Sequence, residues 1–161
     1  MKKTAVLGFG NPVRSDDAVG IFVIEKLQEQ LGTQENVTFF DMGSSAFELL
    51  FKLRGHERFI IVDAVINSGE KPGTLFKLPA SAIQGSIQDD PLVFLHSLKW
   101  DQALSYAKKM MGDSFPEDIT VFLIAVDDTR LEIGMSEEVT EAGVKVAEKI
   151  IQEVCPNPDF A

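Results

Sequence analysis

Runs of apolar residues alternate along this chain with stretches of helical periodicity. Thr4 to Phe9 is apolar after its first residue and leads into Gly8-Phe9-Gly10, the pattern of a strand buried on both faces and closed by a tight turn. Asn11-Pro12 extends the turn. Ser15, Asp16 and Asp17 are N-cap candidates for a helix running to Leu31. Ile24, Leu27 and Leu31 recur there at helical spacing, with Val23 beside them and Gly32 placed as a C-cap. Val37 to Phe40 predicts a second strand ending at Asp41. Ser44 or Ser45 then caps a helix with Ala46, Leu49, Leu50 and Leu53 on one face. Phe59 to Val62 predicts a third strand ending at Asp63. Lys71-Pro72-Gly73 reads as a turn, and Thr74 to Leu78 as a short edge or antiparallel strand.

Pro79 to Pro91 carries little pattern and reads as a long loop. The helical rhythm returns after His96 with Trp100, Leu104, Ala107 and Met111, and Gly112 to Asp118 breaks it. Ile119 to Val126 is the longest apolar strand. Ser136 caps a last helix whose first turn holds Glu137 and Glu138 and whose buried face is Val139, Ala142, Val146, Ile150 and Val154. Strands alternating with helices predict a mostly parallel sheet of about five strands with helices on both faces. In such folds the site lies beyond the carboxyl ends of the strands. Residues 1–155 are expected to form one domain, with 156–161 a frayed tail.

Composition narrows the function. The chain has 161 residues, 45% of them apolar and 25% charged, enough for one core in one domain. Lysine plus arginine number 15 against 25 acids, a net charge of −10. That balance disfavours binding to nucleic acid or to an anionic membrane surface, both of which rest on basic patches. Cys155 is the single cysteine, which excludes an intrachain disulfide and a thiolate zinc site. A reducing, cytoplasmic compartment is expected. The N-terminal apolar run is too short for a signal sequence, and no stretch reaches the roughly 18 apolar residues of a membrane span.

The chemistry-bearing residues cluster after strands. Asp16-Asp17, Asp41 and Asp63 each follow a predicted strand, so neighbouring strands would gather their carboxylates at one edge of the sheet. Helix capping is the competing role for each, and Asp16 suits it best. Of two histidines, His56 lies in a polar turn and is expected to be solvated. His96 is either a core-edge residue satisfied by a carbonyl or a ligand or base beside the carboxylates. An Asp/Asp/His set without thiolates suits a borderline cation such as nickel or zinc, with positions left open for catalysis. A nucleotide reading of Gly8-x-Gly10 fails at Val13, where the third glycine would stand, and at the two acids that follow. No G-x-S-x-G nucleophile elbow occurs, and Met110-Met111 reads as core.

Gly8-Phe9-Gly10-Asn11-Pro12-Val13-Arg14-Ser15-Asp16-Asp17-Ala18-Val19-Gly20 resembles the G-x-G-N-x-x-x-x-D-[DE]-x-x-G opening of the nickel–iron hydrogenase maturation endopeptidases. Asp41-Met42-Gly43-Ser44-Ser45 is similar to that family's D-G-G-[ST] segment, with Met42 replacing a glycine. Ile60-Ile61-Val62-Asp63-Ala64 resembles its [IV]-x-D-A strand end, and Lys71-Pro72-Gly73-Thr74-Leu75 its P-G-[ST] turn. The resemblance implies a three-layer α/β/α fold with a twisted central sheet. It implies an endopeptidase that removes the C-terminal extension of a hydrogenase large-subunit precursor after nickel insertion. The implied metal-site and catalytic residues are Asp17, Asp63 and His96, with Asp41 shaping the site and Asp16 structural. Nickel would be carried by the substrate. It would mark a finished centre, polarise the scissile carbonyl or activate water, and a carboxylate acting as general base is the non-metal alternative. A non-cleaving, chaperone-like binder of the same precursor, or a related peptidase with another protein substrate, would use the same residues.

Overall fold

The structure is a computed structural model and describes residues 2–44, 48–81, 99–127 and 129–155. His96, Ser45, Ala46, the segment 82–98 and the tail 156–161 lie outside the described residues, as does the side chain of Leu50. Five strands form one sheet: β1 Thr4–Phe9, β2 Val37–Gly43, β3 Arg58–Val65, β4 Leu75–Pro79 and β5 Asp118–Ala125. Their order is β2-β1-β3-β5-β4. All neighbours are parallel except β4, which runs antiparallel to β5 at the edge. The helices are α1 Val19–Leu31, α2 Leu49–Lys52, α3 Lys99–Met111 and α4 Glu137–Val154.

Side-chain alternation along the central strands builds two cores. Val6, Ile60, Val62, Phe122 and Ile124 face α1 and α4. Ala5, Leu7, Phe59, Ile61, Val121 and Leu123 face α2 and α3, where Leu49, Leu53, Trp100, Leu104 and Ala107 cover them. This is the expected three-layer fold. Every residue of β1 is buried, which is why it reads as one continuous apolar run.

Several boundaries differ from the pattern reading. Strand β2 continues past Phe40 to Gly43, and β3 past Val62 to Val65. The reason is the ladder: Asp63, Ala64 and Val65 still pair with Leu123, Ile124 and Ala125 of β5. The polar residue therefore does not end the strand. Pro79, read as the start of a loop, closes β4 opposite Thr120. Helix α1 begins at Val19, after a 3-10 turn over Ser15–Ala18, and no side chain caps it. Asp16 is thus not the cap of its own helix. Glu48 rather than a serine precedes α2, again without a side-chain cap. Gly32 and Ser136 do cap as expected: Gly32 donates to Gln28, and Ser136 Oγ accepts from Val139.

Two glycines let α1 lie directly on the sheet backbone. A Cβ on Gly20 would collide with the carbonyl oxygens of Phe9 and Val62, the latter at 2.8 Å. A Cβ on Gly8 would meet the Gly20 carbonyl and the Ile24 side chain. The spacing Gly8…Gly20 in the opening motif therefore encodes a backbone-to-backbone contact.

Gly20→Ala sets two effects against each other. Alanine favours an isolated helix by about 1 kcal/mol. Overpacking costs about 1–3 kcal/mol, and a clash with backbone oxygens that cannot rotate away lies at the upper end. The expected outcome is a net loss of stability, read as a lower urea midpoint at unchanged slope.

Candidate active site

The carboxyl ends of β1, β2 and β3 share one edge of the sheet, since Gly8 pairs with Asp41 on one side and Val62 on the other. The loop after β1 is a tight, self-bonded turn. Arg14 N–H donates to Asn11 O at 3.0 Å, Asp17 N–H to Arg14 O at 3.0 Å, and Asn11 N–H to Asp17 Oδ2 at 3.1 Å. Ser15 sits at φ 50°, a left-handed conformation rare for serine. Its hydroxyl donates to Arg130 O at 3.1 Å and its N–H to Glu132 O at 2.8 Å.

Asp17 ends this turn half-buried. Burial raises its pKa, while the Asn11 N–H and the charge of Arg14 pull it down. Its Oδ1 has no donor among the described residues. Asp63 lies near the end of β3 and is 6% exposed. Its Oδ1 accepts from Ala64 N–H at 2.8 Å and its Oδ2 from the Trp100 indole N–H at 2.9 Å. Burial pushes this carboxyl well above the usual range; the indole opposes that shift, and the nearby charges of Asp17 and Asp101 add to it. The fold thus brings Asp17 and Asp63 into electrostatic contact. A carboxyl poised this way can take up a proton nearer neutral pH, as a general base must.

The other sequence candidates go elsewhere. Asp41 is exposed, and its Oδ1 accepts from Gly43 N–H at 2.9 Å. Gly43 in turn accepts Gly10 N–H at 2.8 Å, so Asp41 shapes the corner beside the β1 turn. Asp16 is buried and bonds Ser136. His56 is half-buried rather than solvated: its ring lies edge-on to Phe40 and Phe59, and Nδ1 sits 3.1 Å from Lys52 O. The flanking polar residues concealed two aromatic neighbours that only the fold supplies. His96 lies outside the described residues. Among the described residues no three His, Cys, Asp or Glu side chains group closely enough to hold a metal ion. At the opposite end of the strands, a cavity of about 400 Å³ is bordered by Lys2, Arg58, Asp118 and Glu153. Those charges pair with one another.

Two residues escaped the sequence reading. Trp100 was legible as core, but not as the donor to Asp63. Asp101 has no exposed surface; Oδ1 accepts from Gln102 N–H at 2.6 Å, and among the described residues Oδ2 has no partner. Burial pushes its carboxyl up to about 6. A first-turn acid looks like ordinary helix-dipole pairing, which hid it.

Comparison with known proteins agrees with this architecture. The family model for hydrogenase maturation proteases (HycI) matches residues 21–153. The chain belongs to the hydrogenase maturation protease family. Its reaction is therefore peptide-bond hydrolysis in hydrogenase maturation, which sets aside the non-cleaving binder. The matched span contains Asp63 and His96 and begins just after the motif that carries Asp17. The chain is 27% identical over 131 residues to the hydrogenase 2 maturation protease of Escherichia coli, covering 81% of this chain and 77% of that one. The [NiFe] hydrogenase maturation protease HycI of Thermococcus kodakarensis superposes with a TM-score of 0.74 at 26% identity, covering 97% of this chain and 94% of that one. The E. coli hydrogenase maturating endopeptidase HybD shares the fold, with a TM-score of 0.82 at 23% identity over 96% of this chain and 93% of that one. Among the described residues no helix is long and apolar enough to cross a membrane.

Trp100→Phe keeps the ring and removes the donor. The Asp63 carboxyl is then expected to titrate at still higher pH in this family member, read from its carboxyl carbon by NMR. Asp101 gives a second, signed prediction. Its folded pKa of about 6 exceeds the ordinary 3.8, so its contribution to stability is fullest below pH 4 and is lost as pH rises through 6. Asp101→Asn should therefore gain stability relative to the parent between pH 4 and 6, measured as urea midpoints across that window, and hold a constant advantage above it.

Proposed function

We propose that this chain removes the C-terminal extension of a nickel-loaded nickel–iron hydrogenase large-subunit precursor, in the cytoplasm, through Asp17, Asp63 and His96. The pairing of Asp17 with a buried, proton-hungry Asp63 at the carboxyl edge of the sheet carries the reading. Two carboxylates and an imidazole suit nickel, a borderline cation. The two acids alone make a sparse set, so the free enzyme holds metal weakly and the precursor brings it. A cation arriving beside Asp63 offsets the burial and like-charge repulsion that raise its pKa. The carboxyl then ionises, and the precursor without nickel lacks that compensation. Asp63 or Asp17 takes the proton of the attacking water, and His96 holds or returns a proton at the leaving amide nitrogen.

The test is mass spectrometry of a large-subunit precursor incubated with the enzyme. Loss of the C-terminal peptide is expected with nickel in the precursor and not without it. Equal cleavage of both forms overturns the nickel part of the reading; cleavage of neither overturns the substrate. Asp17→Asn, Asp63→Asn and His96→Ala should each lower processing by roughly 100-fold or more, with unchanged circular dichroism. His56→Ala should process normally, with a small loss of stability from its two aromatic contacts.

A further inference from the structure

Asp16 makes a contact that the reaction as described does not use. It lies in the same 3-10 turn as Asp17 and is 3% exposed. Both its oxygens are taken by one residue 120 positions away: Ser136 N–H donates to Oδ1 at 2.6 Å and Ser136 Oγ–H to Oδ2 at 3.0 Å. Ser136 is the N-cap of α4, and its hydroxyl oxygen also accepts from Val139 N–H. One carboxylate therefore joins the β1 turn to the start of α4, the longest helix among the described residues. The same turn is tied again by Ser15 to Glu132 and Arg130, by Glu132 N–H to Val13 O at 2.9 Å, and by Arg14 Nη1–H to Thr129 O at 3.3 Å. Asp17, by contrast, has its side-chain bond within its own turn, to Asn11 N–H, and no other among the described residues. Its placement against Asp63 depends on where the turn as a whole is held.

We infer that the Asp16–Ser136 pair is a positioning device for Asp17, a clamp from the N-terminus of α4 that fixes the site acid against Asp63. The inference rests on Asp17 being a site acid. Charge is not what the clamp needs; two well-placed partners for Ser136 are. A misplacement of about 1 Å can cost 100-fold in rate, so the effect reaches chemistry without any contact to substrate.

Substitution separates geometry from charge. In Asp16→Asn the amide oxygen can still accept from Ser136 N–H, and the amide nitrogen can donate to Ser136 Oγ. Asp16→Ala removes both bonds. Ser136→Ala removes one, and Ser136→Thr keeps both. Steady-state processing of the nickel-loaded precursor is measured alongside thermal unfolding. Asp16→Ala should lose about 10- to 100-fold, in kcat rather than KM. Asp16→Asn should stay within about threefold of the parent even though it loses the favourable charge at the α4 N-terminus and some melting temperature. Ser136→Ala should fall between, and Ser136→Thr should recover the rate. Should Asp16→Ala fail to fold, the Ser136 pair of variants carries the test alone. Wild-type kcat in Ser136→Ala or Asp16→Ala overturns the clamp, as does an Asp16→Asn loss as deep as that of Asp16→Ala, which would make Asp16 a charge-dependent ligand or acid. A rate loss that merely follows melting temperature through the series overturns it too. Normal processing by Asp17→Asn would overturn the assignment of Asp17 itself, a failure distinct from the others.

Discussion

The site depends on how closely one helix can approach the sheet. Gly20 puts the first turn of α1 against the carbonyl oxygens of Phe9 and Val62, at a distance no side chain allows. Phe9 is the last residue of β1, and Val62 immediately precedes Asp63. Asp17 stands three residues before Gly20. One backbone contact therefore fixes the turn that carries the first acid relative to the strand that carries the second. Gly8 serves the same contact from the sheet side. The glycines of the opening motif have nothing to do with cradling a phosphate here; they set the spacing between two carboxylates.

Burial alone does not distinguish a structural acid from a reactive one; the partners do. Asp16 is buried and doubly bonded, so its desolvation is compensated in the folded state. Asp63 is equally hidden, and its two neutral donors do not offset burial plus two neighbouring negative charges. Asp101 is less satisfied still, with one oxygen unpartnered among the described residues. Like charges gathered out of water destabilise a fold, and here the Asp63 carboxylate also ties α3 to the sheet through the Trp100 indole. Towards the opposite end of the strands, opposite charges meet instead: Lys2, Arg58 and Lys77 share Asp118 and Glu153 in a linked network.

Much of this was legible in the sequence. Apolar runs bounded by turn signals located the five strands, and helical periodicity located α1, α3 and α4; β1, β3 and β5 read most plainly because they are buried along almost their whole length. The acids after the strands pointed to the carboxyl edge of the sheet, where the structure places Asp17 and Asp63 within reach of each other's charge. What stayed hidden depends on the third dimension. Residues Asp63 to Val65 extend β3 because β5 offers partners, and no local rule announces a polar residue inside a ladder. Asp16 looked like a local cap, since N-capping is the common use of such an acid; its true partner is 120 residues away. The donor to Asp63 is an indole on another layer, and Trp100 at helical spacing reads only as core. His56 lay among polar neighbours in sequence and between aromatic ones in space.

These constraints bear on how such an enzyme can recognise a finished substrate. On the proposed reading, the free site is a pair of mutually repelling carboxyls, one of them held towards its protonated form by burial. A substrate that brings a cation changes the charge balance of the site; a substrate lacking it does not. Discrimination then comes from electrostatics at the reacting centre, without a separate reading surface. Such a mechanism is sensitive to distance, because the coupling between Asp17 and Asp63 falls as they separate. That sensitivity explains why the turn bearing Asp17 is fastened several times over: by the Gly20 contact beneath it, by its own internal hydrogen bonds, by the bonds of Val13, Arg14 and Ser15 to residues 129–132, and by Ser136 at the head of α4. Precision at the two acids thus draws on residues from both ends of the chain.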